Sequence, residues 1–294
     1  MSAGAPLGDV SDTARWVAYF RALESERPDA LFRDPFARKL AGERGRAIAE
    51  TLPKGPLSWS IAVRTRVFDE LILDAVRDGA RIVLNLAAGL DARPYRLALP
   101  AEIRWIEADL PGMIRFKNEA LSGDPPTCTV ERIALDVADF NARQGVFATV
   151  SRTGKRVLVV TEGLLVYLDA KEVGSLSDDL HRHLPNAQWL LENISPEILA
   201  RQRRLWGKRL KVAHAEHKFA PPEGLAFFRP HGWAPHSTRS LLDEGRRLGR
   251  EMPLAWLMRV ASVLAPQRHE RFRQAVVHAV MTRMDRDDRM DGAR

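Results

Sequence analysis

Apolar residues change their spacing near residue 80 of the chain. Before that point they recur at helical intervals in three stretches, over residues 11–27, 34–42 and 57–77. Beyond it, short apolar runs alternate with amphipathic stretches. That alternation is typical of repeated strand–helix units in a parallel sheet covered by helices on both faces. The pattern therefore predicts an α/β fold behind an N-terminal helical segment.

Six strands are predicted from the apolar runs. They lie at residues 81–87, 103–109, 128–135, 156–162, 187–193 and 274–283, separated by helical or loop segments that include 111–122, 139–150 and 170–184. The run at 274–283 closes the pattern and leads into no further helix. Residues 195–253 are rich in arginine, histidine, proline and aromatic residues. A long segment of this kind predicts a lid or a substrate wall. An ordinary surface helix followed by a packed loop is the alternative.

The first predicted strand leads into a turn of small residues. Residues 81–97 read RIVLNLAAGLDARPYRL, in which the strand passes through Ala87, Ala88 and Gly89 to a helix start at Asp91. In an open α/β sheet such a turn is where a nucleotide-like ligand binds. The glycine-rich fingerprint of dinucleotide sites is absent, which favours a cofactor without phosphates over a nicotinamide cofactor. A tight turn without a ligand is the alternative.

An acidic residue closes the second predicted strand. Asp109 follows Gly89 by twenty residues, where a carboxylate can accept both hydroxyls of a ribose. Glu107 lies on the same face of that strand because side chains alternate with a period of two. Asp109 is further along the strand, so we predict that Asp109 binds the ribose. Capping of the following helix is the alternative role.

The next two strand ends carry acids as well. Asp136 and Val137 follow the third strand, where a carboxylate can meet an adenine amino group, although Asp139 is close enough to compete for that role. Glu162 closes the fourth strand and is expected to face the ligand crevice.

Several motifs resemble the leucine carboxyl methyltransferase-like family of S-adenosylmethionine-dependent methyltransferases, including its bacterial O-methyltransferase branch. They cover most of residues 11–170, with a weaker match at Gly232-Trp233. The matching segments are Ser11-Asp12-Thr13-Ala14, Asp34-Pro35-Phe36, Arg64-Thr65-Arg66 with Asp69, Asn85 to Asp91, Glu107 to Pro111 and Glu162 to Leu168.

The resemblance implies a Rossmann-like class I methyltransferase with a seven-stranded, mostly parallel sheet and an antiparallel last strand. It implies S-adenosylmethionine as the cofactor, held by Arg64 at the carboxylate, Asp109 at the ribose, Asp136 and Val137 at the adenine, and Glu162 at the methionine end. Gly89 and Ala87 would line the cofactor. Ala87 stands where the family commonly has glycine, a difference of one methyl group.

These expectations define a single domain in four parts. Residues 11–78 form a helical cap, 79–194 the cofactor-binding core, 195–253 the lid, and 254–294 the completion of the core with a tail.

Composition limits where the protein acts and what it binds. The chain has 294 residues, a single cysteine (Cys128), and no apolar run of the ~20 residues that span a bilayer. Its N-terminus lacks the features of a signal peptide, and we expect a cytoplasmic protein without a membrane partner. The net charge of +7 comes from dispersed arginines without a nucleic-acid motif, so no nucleic-acid partner is expected.

The expected reaction is O-methylation of a carboxylate, or of a hydroxyl, on a small molecule or peptide terminus. Tyr167 and Arg15 are predicted to position the acceptor, with Arg66 as a similar candidate. A hydroxyl acceptor requires a base, for which the segment 195–253 offers the histidines 214, 217, 231 and 236. Their spacing matches no zinc motif, so no metal is expected. A nicotinamide-dependent oxidoreductase and a non-catalytic scaffold remain as alternatives.

Overall fold

Seven strands form one sheet, in a computed structural model that describes residues 10–51, 54–212, 215–252, 270 and 273–284. The strands are β1 (Ile82–Leu86), β2 (Arg104–Asp109), β3 (Thr129–Ala134), β4 (Val157–Thr161), β5 (Ala187–Ile194), β6 (Trp233–Ser240) and β7 (Val276–Arg283). Their order is β3-β2-β1-β4-β5-β7-β6. The first five strands are parallel, and β7 runs antiparallel to β5 and to β6. The prediction of a mostly parallel seven-stranded sheet with an antiparallel last strand is confirmed.

Helices surround the sheet and precede it. The described ones are α1 (Val10–Ser25), α2 (Ala37–Glu50), α3 (Lys54–Arg77), α4 (Arg93–Arg96), α5 (Pro111–Ala120), α6 (Phe140–Ser151), α7 (Ala170–His183), α8 (Pro196–Val212) and α9 (Leu241–Arg247). The span α2 contains a kink at Gly42, whose φ of 58° and ψ of −174° are not helical. The helix that begins after Phe36 therefore stops at Gly42 as expected, and a second helical segment follows it directly. No described helix is long and apolar enough to cross a bilayer.

The central strand β1 is buried on both faces. Ile82 and Leu84 pack with Phe147 on one side of the sheet, while Val83 packs with Phe68 of α3 on the other. Parallel strands covered by helices on both faces read as continuous apolar runs because neither face meets water. This is why β1 and β4 were recognisable in the sequence.

Strand β6 was not predicted. Residues 234–240 are half-buried or exposed at the sheet edge, so the strand needs no apolar face. The segment 195–253 thus supplies α8, β6, α9 and a 3₁₀ stretch at 224–231. In the part expected to complete the core, residues 254–269, 271–272 and 285–294 lie outside the described residues. Strand β7 occupies the place predicted for the last strand.

Helix α1 is held against the loop that follows β1. Arg21 of α1 donates from Nε to Asp34 over 3.0 Å and from its terminal nitrogen to the backbone carbonyl of Leu90. Both Arg21 and Asp34 are buried, and a buried charge is retained only when it is paired. The N-terminal cap therefore closes one side of the strand ends.

Candidate active site

One cavity of about 380 Å³ lies over the carboxyl ends of the parallel strands, beneath α1. Open α/β sheets place their ligand crevices at these ends. The structure brings all seven predicted cofactor residues to its wall. They are Arg64, Ala87, Gly89, Asp109, Asp136, Val137 and Glu162.

The turn after β1 is joined directly to the end of β2. The backbone N–H of Gly89 donates to Oδ2 of Asp109 over 2.6 Å, and that of Leu110 donates to Oδ1 over 2.7 Å. Burial raises the pKa of Asp109, and these two backbone donors oppose the rise. An ionised carboxylate has about four acceptor sites, so capacity remains for ribose hydroxyls.

Glu107, the alternative to Asp109, has a structural role. It is fully buried, and its carboxylate lies 2.8 Å from Nζ of Lys117 and 2.8 Å from Nε of Arg132. Glu107 is absent from the described residues that line the cavity, whereas Asp109 is present. The structure therefore separates the two carboxylates that the sequence pattern left on one strand face.

Asp136 and Asp139 are separated in the same way. Asp139 caps α6, where its carboxylate accepts from the backbone N–H of Asn141 over 3.0 Å and of Ala142 over 3.1 Å. Asp136 is exposed and lines the cavity beside the buried side chain of Val137. The carboxylate of Asp136 is thus the one available to a ligand.

Arg64 lies between two carboxylates at the other end of the cavity. Its Nε is 2.9 Å from Oε1 of Glu162, and a terminal nitrogen is 3.6 Å from Oε2 of Glu192. Nε is buried without a hydrogen-bond partner, because the Glu162 contact is not aligned for one. A guanidinium with donor capacity left is suited to grip a carboxylate.

A second arginine, Arg93, ties Glu162 to the protein interior. Its guanidinium donates to Asp69 over 2.6 Å, to Asp91 over 2.9 Å and to Glu162 over 2.7 Å. Burial disfavours the charge on Arg93, but the three carboxylates outweigh it and raise its pKa. The sequence pattern assigned Arg93 no role. The only feature of the sequence that points to Arg93 is its position two residues after Asp91, which was predicted to begin a helix.

Glu192 was also missed by the sequence reasoning, although it lay within the predicted strand 187–193. Burial opposes ionisation of Glu192, yet the Arg64 guanidinium outweighs burial and brings the pKa of Glu192 to about 2. Behind it, Nε2 of the fully buried His278 lies 3.4 Å from Oε2 of Glu192. The available signal was an acid inside an otherwise apolar strand.

The two predicted acceptor-positioning residues have different locations. Tyr167 lines the cavity, and burial raises the pKa of its phenol, so Tyr167 is a neutral donor. Arg15 is absent from the lining. Its guanidinium lies 4.0 Å from the ring centroid of Phe116 in α5. The structure therefore does not bring Arg15 to Tyr167. Arg66 pairs with Glu70 over 2.9 Å and is likewise absent from the lining.

Of the four candidate bases, the structure brings His217 to the cavity. His231 pairs with Asp178 on another face over 2.9 Å, and His236 is exposed on β6. His214 lies outside the described residues. Among the side chains that the structure describes, no group of three or more His, Cys, Asp and Glu is arranged to hold a metal ion.

The charge of the lining suits a cationic sulfonium cofactor. The described lining residues include three arginines and five carboxylates, an excess of two negative charges. They are Arg21, Arg64 and Arg93 against Asp91, Asp109, Asp136, Glu162 and Glu192. S-adenosylmethionine carries one net positive charge from its sulfonium, ammonium and carboxylate groups. The Arg64 guanidinium on the same wall supplies positive charge for that carboxylate, and its Nε, although 2.9 Å from Glu162, makes no aligned hydrogen bond. The residues present therefore fit this cofactor.

Comparisons with known proteins agree with this geometry. The family model for leucine carboxyl methyltransferase matches residues 14–181. A predicted S-adenosyl-L-methionine-dependent methyltransferase of Parafrankia sp. (strain EAN1pec) is 31% identical over 266 residues, covering 84% of each chain. Another, from Mycobacterium avium (strain 104), is 33% identical over 278 residues, covering 84% of this chain and 89% of that protein.

A crystal structure shows the same fold. It is that of a predicted methyltransferase from Thermobifida fusca YX, with a TM-score of 0.62 and 14% identity, covering 96% of this chain and 97% of that one.

Fold and site together define a methyltransferase of the S-adenosylmethionine-dependent class, with S-adenosylmethionine as its cofactor. Within that class, the chain belongs to the leucine carboxyl methyltransferase family. A nicotinamide-dependent oxidoreductase is thereby excluded as the enzyme class.

Proposed function

We propose that this methyltransferase acts on oxygen, methylating a carboxylate or a hydroxyl of a small molecule or peptide terminus. One observation carries the proposal. A single cavity joins the strand-end motifs, from Asp136 to Glu162, to a wall that contains Tyr167. The Tyr167 hydroxyl, which can form a hydrogen bond with an acceptor oxygen, therefore lines the same cavity as Arg64, which would hold the cofactor. The family description, which names a carboxyl acceptor, also supports oxygen as the methylated atom.

The proposed roles of the cofactor residues follow their places. Asp109 accepts from the ribose hydroxyls, Asp136 and Val137 meet the adenine, and Arg64 grips the carboxylate of the methionine end. Ala87 and Gly89 have small side chains or none, so they leave room for the cofactor beside the end of β1. When bound, S-adenosylmethionine supplies an activated methyl group on a positive sulfur. The protein then has to align the acceptor and exclude water.

Two kinds of oxygen acceptor make different demands on the chain. A carboxylate is ionised at neutral pH and needs no base, but it needs positive charge or donors to hold it. A hydroxyl must lose a proton and needs a base within reach. Tyr167 can donate a hydrogen bond to either acceptor.

A methyl-transfer screen tests the proposal. The chain is incubated with S-adenosylmethionine carrying a labelled methyl group and with panels of carboxylic acids, phenols, amines and thiols. Label on oxygen acceptors supports O-methylation, and base treatment separates esters, which hydrolyse, from aryl ethers, which do not. Label found only on nitrogen, sulfur or carbon contradicts the proposal.

We also propose that the enzyme works in the cytoplasm on such a substrate, without a nucleic-acid or membrane partner. The single cysteine, Cys128, is free and buried, and desolvation raises its pKa to about 11. A reducing compartment suits a chain that makes no use of disulfides. Fractionation of cells that express the chain tests this location.

A further inference from the structure

The cavity extends beyond the motifs that would hold the cofactor. Strands β3 and β5 are four strand spacings apart, which is ~19 Å at ~4.8 Å per spacing. Asp136 follows β3, Glu162 follows β4 and Glu192 lies on β5. The part of the cavity over β5 is therefore left for the acceptor. Its polar side chains, called here the acceptor wall, are Ser60, Tyr167, Glu192, Gln202 and His217.

The charges of the cavity disfavour an anionic acceptor. Its described lining has five carboxylates against three arginines. Each of these arginines already faces a carboxylate: Arg21 faces Asp34, Arg93 faces Asp69, Asp91 and Glu162, and Arg64 faces Glu162 and Glu192. The cofactor offsets one of the two excess negative charges. An ionised carboxylate would thus enter a site of its own sign beside Glu192, whereas a hydroxyl would not.

Apolar side chains surround the polar ones in this part of the cavity. Trp16 and Val17 of α1 and Ile61 of α3 cluster with Tyr167 and line the cavity. Ile194 of β5 is also part of the lining. Ligand pockets of this composition bind an apolar body and orient it with a few polar groups. The acceptor wall is therefore suited to a neutral, aromatic or aliphatic molecule that carries one hydroxyl.

His217 is fixed in the acceptor wall with one nitrogen available. Its Nδ1 lies 2.8 Å from Oε1 of Gln202. A carbonyl oxygen only accepts, so Nδ1 carries the proton and Nε2 keeps its lone pair. Among the described residues Nε2 has no hydrogen-bond partner, and the imidazole packs edge-on against Tyr167 with ring centroids 5.1 Å apart. The backbone N–H groups of Lys218 and Phe219 donate to the carbonyl of Val166, which anchors the segment.

The imidazole is neutral in the resting enzyme. Burial lowers the pKa of His217 to about 4, and Arg203 acts in the same direction, while the Glu192 carboxylate opposes both. Glu192 faces the ring from β5, Arg203 from α8, and Tyr167 from the loop after β4. The lone pair on Nε2 is therefore available at every pH above about 4. Imidazole is a weak base, and a phenol gives up its proton far more readily than an aliphatic alcohol does, so the hydroxyl that His217 can serve is an acidic one such as a phenol.

We propose that the acceptor is the hydroxyl of a neutral, largely apolar molecule of the phenol class, and that Nε2 of His217 takes its proton. The O–H bond breaks and its proton moves to Nε2. The oxygen forms the new O–CH3 bond as the S–CH3 bond breaks, and that electron pair stays on sulfur. The imidazolium, stabilised by Glu192, then releases its proton to solvent. This inference rests on the proposed oxygen methylation and selects one of its two acceptor classes.

Matched pairs of acceptors test the inference. The probes are phenol and benzoate, 2-naphthol and 2-naphthoate, and 4-phenylphenol and 4-phenylbenzoate, each with labelled S-adenosylmethionine. We expect base-stable aryl ethers, formed at a rate that is flat between about pH 6.5 and 8.5 because the base is already deprotonated. In His217→Ala we expect a rate at neutral pH at least ~100-fold lower. Below the pKa of the phenol, the rate of His217→Ala should rise about tenfold per pH unit, since only preformed phenolate reacts.

His236→Ala is the matched control, because His236 is exposed on β6 and outside the cavity, and it should keep the wild-type rate and profile. Calorimetry adds a readout without turnover: enzyme loaded with S-adenosylhomocysteine should bind 2-naphthol more tightly than 2-naphthoate. Label found in esters alone, no product from any phenol although S-adenosylmethionine binds, or an unchanged profile in His217→Ala overturns the inference. Label that reaches no oxygen at all contradicts the proposed function instead.

Discussion

The backbone N–H of Gly89 donates to the carboxylate of Asp109 over 2.6 Å, across twenty residues of chain. This bond joins the turn after β1 to the end of β2, so two motifs that are separate in the sequence form one wall. Gly89 has φ +50°, and a Cβ built on it would lie 3.3 Å from Cβ of Ala14 in α1. The turn is therefore fixed from both sides, by Asp109 and by the N-terminal cap.

Substitution of Asp109 should abolish cofactor binding. Asp109→Ala removes the predicted ribose acceptors, and hydrogen bonds to a charged group contribute about 1.5–3 kcal/mol each. We expect affinity for S-adenosylmethionine to fall at least ~100-fold by calorimetry. Asp109→Asn retains one acceptor for the Gly89 N–H and should lose less. Unchanged affinity in Asp109→Ala, with the circular dichroism of the parent, would show that Asp109 does not hold the ribose.

Replacement of Ala87 by glycine should stabilise the protein. Ala87 has φ 52°, the left-handed region, which costs a residue with a Cβ about 1–2 kcal/mol. Glycine removes that cost but adds entropy to the unfolded chain, so the net gain in unfolding free energy is about 0.5–1 kcal/mol. Urea unfolding of Ala87→Gly measures it. Ala88→Gly, at a buried neighbour without positive φ, should be destabilising; a lower stability for Ala87→Gly would refute the argument from strain.

Loss of Arg93 should be severe for the fold as well as for the site. Arg93→Leu leaves Asp91 without its buried cationic partner and leaves Glu162 with Arg64 alone, and breaking a buried ion pair costs about 3–5 kcal/mol. The midpoint of urea unfolding should fall accordingly. The exposed pair of Arg46 with Glu43 offers a control, since Arg46→Ala should leave the midpoint unchanged. Equal effects of the two substitutions would contradict the structural role of Arg93.

Acid should weaken the site through Asp91 and Glu192. Burial opposes their ionisation, but Arg93 and Arg64 respectively outweigh it and bring each pKa to about 2. Because these values are lower in the folded than in the unfolded chain, their contribution is complete above the ordinary carboxyl pKa and is lost as pH falls towards about 2. Urea midpoints should therefore decline below about pH 4.5. Asp91→Asn should flatten that decline, and an equally steep acid limb would count against it.

The strands and their closing acids were readable from the sequence for a physical reason. A parallel strand buried on both faces needs an unbroken apolar run, as in 157–160, and an acidic residue where that strand ends falls at the ligand edge of the sheet. This places Asp109, Asp136 and Glu162 at one cavity without knowledge of any contact. The choice between Glu107 and Asp109 needed the structure, because Lys117 and Arg132 come from other elements.

What the sequence could not supply depends on packing between distant elements. Strand β6 is an edge strand with little buried surface, so its residues show no apolar alternation. Glu192 becomes a site residue only because α3 carries Arg64 to it. His217 was one of four equal candidates until the contacts at Val166 and Gln202 brought it to the cavity. The location of Arg15 on Phe116 likewise depends on a residue from another helix.

Calorimetric titration of the purified chain with S-adenosylmethionine, with NAD as the parallel ligand, measures whether the cavity over the strand ends is a site for S-adenosylmethionine. A cavity built from Arg64, Asp109 and Glu162 predicts one site per chain with micromolar affinity for S-adenosylmethionine and no binding of NAD. A folded chain that binds NAD, or that gives no heat with S-adenosylmethionine, would contradict the account.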